Sequence, residues 1–116
     1  MIDLQKLRQR YLADEWPRQM GNLASTLARL GSRAGDPRYD GLVTNLLRES
    51  TLLMEWSART VPLEVAAQLA AMQRELVLWR QIWPDDAVRR LLAFRVRQMS
   101  DRLLAAAGLL DPSLSI

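Results

Sequence analysis

The chain has 116 residues, 49% of them hydrophobic and 25% charged, with a formal net charge of +3. That length and balance imply one globular domain and exclude a disordered chain, which needs fewer apolar residues and a larger net charge. There is no histidine and no cysteine, and Lys6 is the sole lysine, so imidazole bases, thiolate nucleophiles, disulfides and thiolate metal sites are excluded.

The first six residues hold no apolar run of signal-peptide length. No apolar stretch approaches the roughly 20 residues that span a bilayer. The greasiest piece, residues 103–110, is far shorter. A cytoplasmic protein without membrane contact is expected.

Strand patterns are almost absent, and apolar residues recur at helical spacing nearly everywhere. A first helix is predicted over residues 4–15, with Asp3 as N-cap and Leu4, Leu7 and Tyr11 as its apolar stripe. Trp16-Pro17 follows. The second predicted helix, residues 17–33, carries Met20, Leu23, Ala24, Leu27, Leu30 and Ala34. At about 100° per residue this stripe is rotated roughly 120° from the first. One straight helix cannot aim both at one core, so a break or kink is expected at Trp16-Pro17.

Residues 31–35 read as a turn, and Asp36-Pro37 as an N-cap with proline at the first helical position. Asp40-Gly41 is a competing start. The third helix, to residue 58, carries Tyr39, Leu42, Val43, Leu46 and Leu53, with Leu47 and Met54 beside them. Ser50 and Ser57 share the stripe, where they allow close approach or bond back to a carbonyl one turn earlier. The fourth helix opens after Thr60-Val61-Pro62 and runs to residue 83. Its residues Val65, Leu69, Met72, Leu76, Trp79 and Trp83 make the cleanest seam in the chain. Pro84-Asp85-Asp86 separates it from a fifth helix bearing Val88, Leu91, Leu92, Met99, Leu103, Ala106 and Leu110, with Gly108 as its stop.

Catalytic patterns fail one by one. Ser25, Ser50, Thr51, Ser57 and Ser100 have no base partner. The adjacent carboxylates Asp14-Glu15 and Asp85-Asp86 sit at predicted helix ends, where capping explains them. Glu49, Glu55, Glu64 and Glu75 share no inward face for a metal. Gly31, Gly35 and Gly41 form no phosphate loop. No cofactor and no metal are expected, and the protein is read as non-enzymatic.

Two surfaces remain. Leu52 and Trp56 lie off the main stripe of the third helix, and Leu78 and Ile82 project away from the seam of the fourth. These four are the candidate anchors of a protein interface. The alternative is nucleic-acid binding through Arg89, Arg90 and Arg97 on the last helix, although aromatic residues do not alternate with the arginines as single-strand binding would favour. Arg95 and Arg102, nearer the apolar stripe, have the alternative of pairing with a carboxylate from another helix or from a partner.

The predicted fold class is all-α: a compact antiparallel bundle of four to five helices. It forms a single domain over residues 1–110, followed by a tail of residues 111–116. The predicted function is a protein-interaction or assembly module. Its expected partner is a second copy, as a homodimer, or another protein, with nucleic acid as the less favoured partner.

Overall fold

The computed structural model describes residues 3–109; the expected domain end at 110 and the tail of 111–116 lie outside them. Five helices follow one another: α1 (Leu4–Ala13), α2 (Trp16–Arg33), α3 (Asp40–Ser57), α4 (Leu63–Ile82) and α5 (Asp86–Ala106). Among the described residues there is no strand. The all-α bundle read from the sequence is the fold. The helices form a slab of 40 × 36 × 20 Å, about two helix diameters thick.

Each helix has a local cause. Asp3 caps α1 by accepting from the Gln5 and Lys6 amides, and Asp85 caps α5 by accepting from Ala87. Pro17 sits in the first turn of α2, where its missing N–H costs nothing. The break expected near Trp16-Pro17 falls just before it, at Asp14-Glu15. Gly108, at φ +72°, ends α5. Its amide donates to Ala105 and that of Leu109 to Leu104, which is the left-handed terminal motif that favours glycine.

Gln19 fastens the α1–α2 corner. Its side chain is 1% exposed; its amide donates to the Tyr11 and Asp14 carbonyls, and its oxygen accepts from the Thr60 hydroxyl. The Tyr11 hydroxyl bonds the Gln19 carbonyl and the Ser57 hydroxyl. Burial pushes the Tyr11 phenol up to about 12, although the Ser57 bond pulls the other way. Ser50 and Ser57 bond back to Leu46 and Leu53, as the third-helix pattern allowed.

The expected stripe of α2 is buried throughout, and so is the α4 seam except Trp79, which is half-buried. Two overlapping readings are resolved. Residues 31–33 were read both as the end of the second helix and as part of a turn; α2 runs to Arg33 as the helix reading has it, and Gly31 is buried inside it. Its hydrogen stands where α5 comes closest. A Cβ there would meet Arg97 Cγ at 3.0 Å, the Ala93 carbonyl oxygen at 3.2 Å and Val96 Cγ2 at 3.2 Å. Asp36-Pro37 opens a 3₁₀ turn over Pro37–Tyr39, and α3 starts only at Asp40.

In α5 the expected core position Leu91 is 59% exposed. The buried stripe is Arg89, Leu92, Val96, Met99, Ser100 and Leu103. An arginine and a serine occupy the side that faces α2, which turns Leu91 outward.

The α2–α5 pair has the most extensive contact, then α2–α3 and α3–α4, whereas α4 and α5 meet only lightly. Three α5 side chains reach carbonyls of α2 and its C-cap: Arg89 to Ala34 at 3.4 Å, Arg97 to Gly31 at 3.4 Å, and Ser100 to Ala24 at 2.9 Å. Rising numbers on α5 meet falling numbers on α2, so the two run antiparallel. Close approach is possible because Ala24 and Gly31 present almost no side chain.

Gly31→Leu should therefore destabilise the protein by at least about 1–3 kcal/mol through overpacking. Gly41→Ala, in α3 with nothing within 4 Å of the added carbon, should stabilise by up to about 1 kcal/mol through helix propensity. Urea denaturation measures both; shifts of the same sign and size would remove the close-approach account.

Candidate functional site

The structure places the seven candidate residues in three different settings. Leu52 and Trp56, on α3, are half-buried. Trp56 packs against the core and against Tyr11 of α1, with ring centroids 6.3 Å apart and planes tilted by 54°. The second apolar side of α3 thus meets the first helix of the same chain. Leu78 and Ile82 are 63% and 51% exposed on α4, so they are not brought together with Leu52 and Trp56 at one buried contact.

Arg89 is buried at 6% exposure. Its guanidinium holds both Asp40 oxygens at 2.7 and 3.0 Å, reaches Asp86 at 3.2 Å and lies 5.1 Å from the Trp83 ring centre. Its charge is committed to joining the start of α5 to the start of α3. Arg90 and Arg97 remain exposed, and Arg97 leans on the Gly31 carbonyl. The arginine face of the last helix is therefore reduced to two separate residues.

A second bridge ties α4 to α5. Arg95 Nε lies 2.6 Å from Glu75 Oε2, and the Trp79 indole N–H donates to the same oxygen at 3.1 Å. This fulfils the expectation that Arg95 pairs with a carboxylate from another helix. Partial burial pushes the Glu75 carboxyl up, but the hydrogen bonds from Arg95 and Trp79 and the nearby Arg102 charge outweigh it and hold it below its ordinary range. Hydrogen bonding from Arg89 holds the Asp40 carboxyl low as well.

Exposed apolar residues occur on both bridged helices, beside the polar Gln98 that accepts from Arg95 and the nearby Arg102. Val77, Leu78 and Ile82 of α4 are 46%, 63% and 51% exposed, and Leu91 and Phe94 of α5 are 59% and 63% exposed. Leu78 and Ile82 follow Glu75 at three and seven residues, so they share its side of the helix. Leu91 lies one turn before Arg95. At the other end of α4, Leu63 is 86% exposed, and Ala67, Ala70 and Ala71 are exposed between. Apart from Glu64, Arg74 and Gln81, the side of α4 opposite its seam is apolar.

Leu91 and Phe94 were not singled out from the sequence as surface residues. The available signal was that α5 has apolar residues on two sides, as α4 does. Among the described residues no group of three acidic side chains converges to hold a metal ion.

Acid should weaken both bridges. The two carboxyls have folded values below their ordinary 3.8 and 4.5. The stability they contribute is present above those ordinary values and is lost as pH falls through the lowered ones. Arg89→Ala should lower the melting temperature at pH 7 much more than Arg90→Ala, and the gap from wild type should shrink as pH falls below 3.8 toward the lowered value of Asp40. Melts followed by circular dichroism check this; a gap independent of pH would contradict the pairing.

Comparison of the chain with protein-family models, with curated proteins and with solved structures finds no match.

Proposed function

We propose that the protein is a non-enzymatic interaction module that self-associates through the uncovered side of α4 and the neighbouring apolar residues of α5. The observation that supports this reading is the exposure of Leu78, Ile82, Leu91 and Phe94 beside one inter-helix bridge. Scattered surface leucines need no explanation. A group of large apolar side chains on two touching helices is different, because contiguous apolar patches beyond a few hundred Å² commonly mark contacts.

Topology supplies the physical reason. A helix with large apolar residues on more than one side calls for cover on more than one side. The α4 helix packs on α3 and only lightly on α5, so one side has no cover among the described residues. A second copy supplies the same surface by twofold symmetry. Each large side chain removed from water adds roughly 1.5–3 kcal/mol of driving force.

The Leu78→Glu/Ile82→Glu double variant should halve the mass found by light scattering and leave helicity unchanged, since neither side chain is in the core. Trp56→Glu should instead destabilise the fold, because Trp56 covers Tyr11. A monomeric wild type at high micromolar concentration, or a double variant that keeps the dimer mass, would refute this reading.

A further inference from the structure

Where α5 ends, an open groove of about 810 Å³ runs beside α2 to the α1–α2 corner, with Ala13, Pro17, Gly21, Leu104 and Leu109 as its apolar lining. The last described residue, Leu109, is itself part of that lining. The chain continues as Leu110-Asp111-Pro112-Ser113-Leu114-Ser115-Ile116. We propose that residues 110–116 fold back through this groove and clasp the end of α5 to the α1–α2 corner, with Leu110 and Leu114 seated on its apolar lining.

The exit of the chain is the first argument. The Leu109 amide donates to the Leu104 carbonyl at 2.8 Å, and the Gly108 amide donates to Ala105 at 3.1 Å. A terminal turn of this kind reverses the chain and commonly brings the residue after the glycine onto the one that opens the turn. Here those residues are Leu109 and Leu104, which line the same groove. The turn also seats Leu109 on α2, since a Cβ at Gly21 would stand 3.1 Å from Leu109 Cδ1. Glycine within a helix is less stable than alanine there; what Gly21 provides in return is bare backbone beneath Leu109. The chain therefore reaches residue 110 at the groove itself.

Composition and reach are the second argument. Leu110, Leu114 and Ile116 are apolar, and Asp111 is the single charged side chain of the segment. Large apolar side chains gain by leaving water in proportion to the area covered, and the groove offers Ala13, Pro17 and Leu104 as cover. Proline at 112 biases Asp111 to extended backbone. An extended residue advances about 3.3 Å, whereas the helix rises only about 6 Å from Pro17 to Gly21. Residues 110–114 are thus long enough to reach the corner.

The polar groups at the groove match the same segment. Asn22 and Ser25 are exposed lining residues whose side chains both donate to and accept from an extended backbone. Arg18 is the one basic residue of the described lining, and its contact with Asp14 is long, at 3.9 Å, which leaves guanidinium donors for Asp111. Asp14 and Glu15 also line the groove and disfavour a more acidic occupant. An exposed ion pair adds little, so the leucines carry the proposal. No described residue of α4 lines the groove, and the clasp is independent of the α4–α5 surface.

Nuclear magnetic resonance of the full chain tests the clasp. The expected result is cross-relaxation from the Leu114 methyls to the Gly21 α-protons and the Pro17 ring. In a mixture of isotope-labelled and unlabelled copies it should arise within one chain. Leu110→Asp/Leu114→Asp should abolish it, shift the Gly21, Asn22 and Ser25 amide resonances and leave helicity unchanged, because both positions follow the last helix. Leu114 methyls that contact no α2 residue, contacts to Leu78 or Ile82 in their place, contacts only between different copies, or a double variant whose Gly21, Asn22 and Ser25 resonances stay unmoved would each overturn the proposal.

Discussion

The close packing of α2 against α5 is the constraint on which the rest of the structure depends. It works because Ala24 and Gly31 leave the α2 backbone accessible on one side. Into that space α5 places Val96 as apolar filling and sends Ser100, Arg97 and Arg89 to three carbonyls of α2 and its C-cap. Buried hydroxyls and guanidinium groups are costly without partners. Here the Ser100 and Arg89 side chains have them, and among the described residues no buried side-chain nitrogen or oxygen lacks a hydrogen bond. Dispersion and polar satisfaction therefore act at the same seam, and each requires the small residues of α2.

The remaining helices take their places around that pair. Gln19 and Tyr11 turn α1 back across α3, covering Trp56. Arg89 fixes the beginning of α5 to the beginning of α3 through Asp40. The α4 helix comes last in this arrangement: its seam of Val65, Leu69, Met72 and Leu76 is buried, but its contact with α5 is narrow and centred on the Glu75–Arg95 bridge. Its opposite side keeps Leu63, Leu78 and Ile82 in solvent. The apolar surface is thus a consequence of the bundle's order of packing, and not an isolated property of α4.

Much of this was legible in the sequence. The five helices follow from apolar periodicity and from proline, glycine and aspartate at their ends. The stripe of α2 and the seam of α4 follow from spacing alone, and so does the outward position of Leu78 and Ile82. What periodicity does not convey is which polar residues are inside. Arg89 precedes Leu92 and Val96 by three and seven residues, and Gln19 precedes Leu23 by four, so both lie at core phase. Arg89 was read as surface and Gln19 was not singled out, because satisfaction of a buried charge or amide depends on partners far along the chain: Asp40 for Arg89 and Thr60 for Gln19. Gly31 was read as punctuation for the same reason. Its role is a close approach by α5, more than sixty residues later. The groove of Gly21, Leu104 and Leu109 was likewise invisible, since its parts converge only when the end of α5 lies along α2.

Native-state hydrogen exchange is the most direct test of the claim that the α2–α5 seam organises the bundle. Amides in the middle of α2 and α5 should be the most protected in the chain and should exchange together, through global unfolding. Amides of α4 should exchange by a lower-energy opening that leaves α2 and α5 intact. Greatest protection in α4, or separate exchange of α2 and α5 with different free energies, would contradict the account.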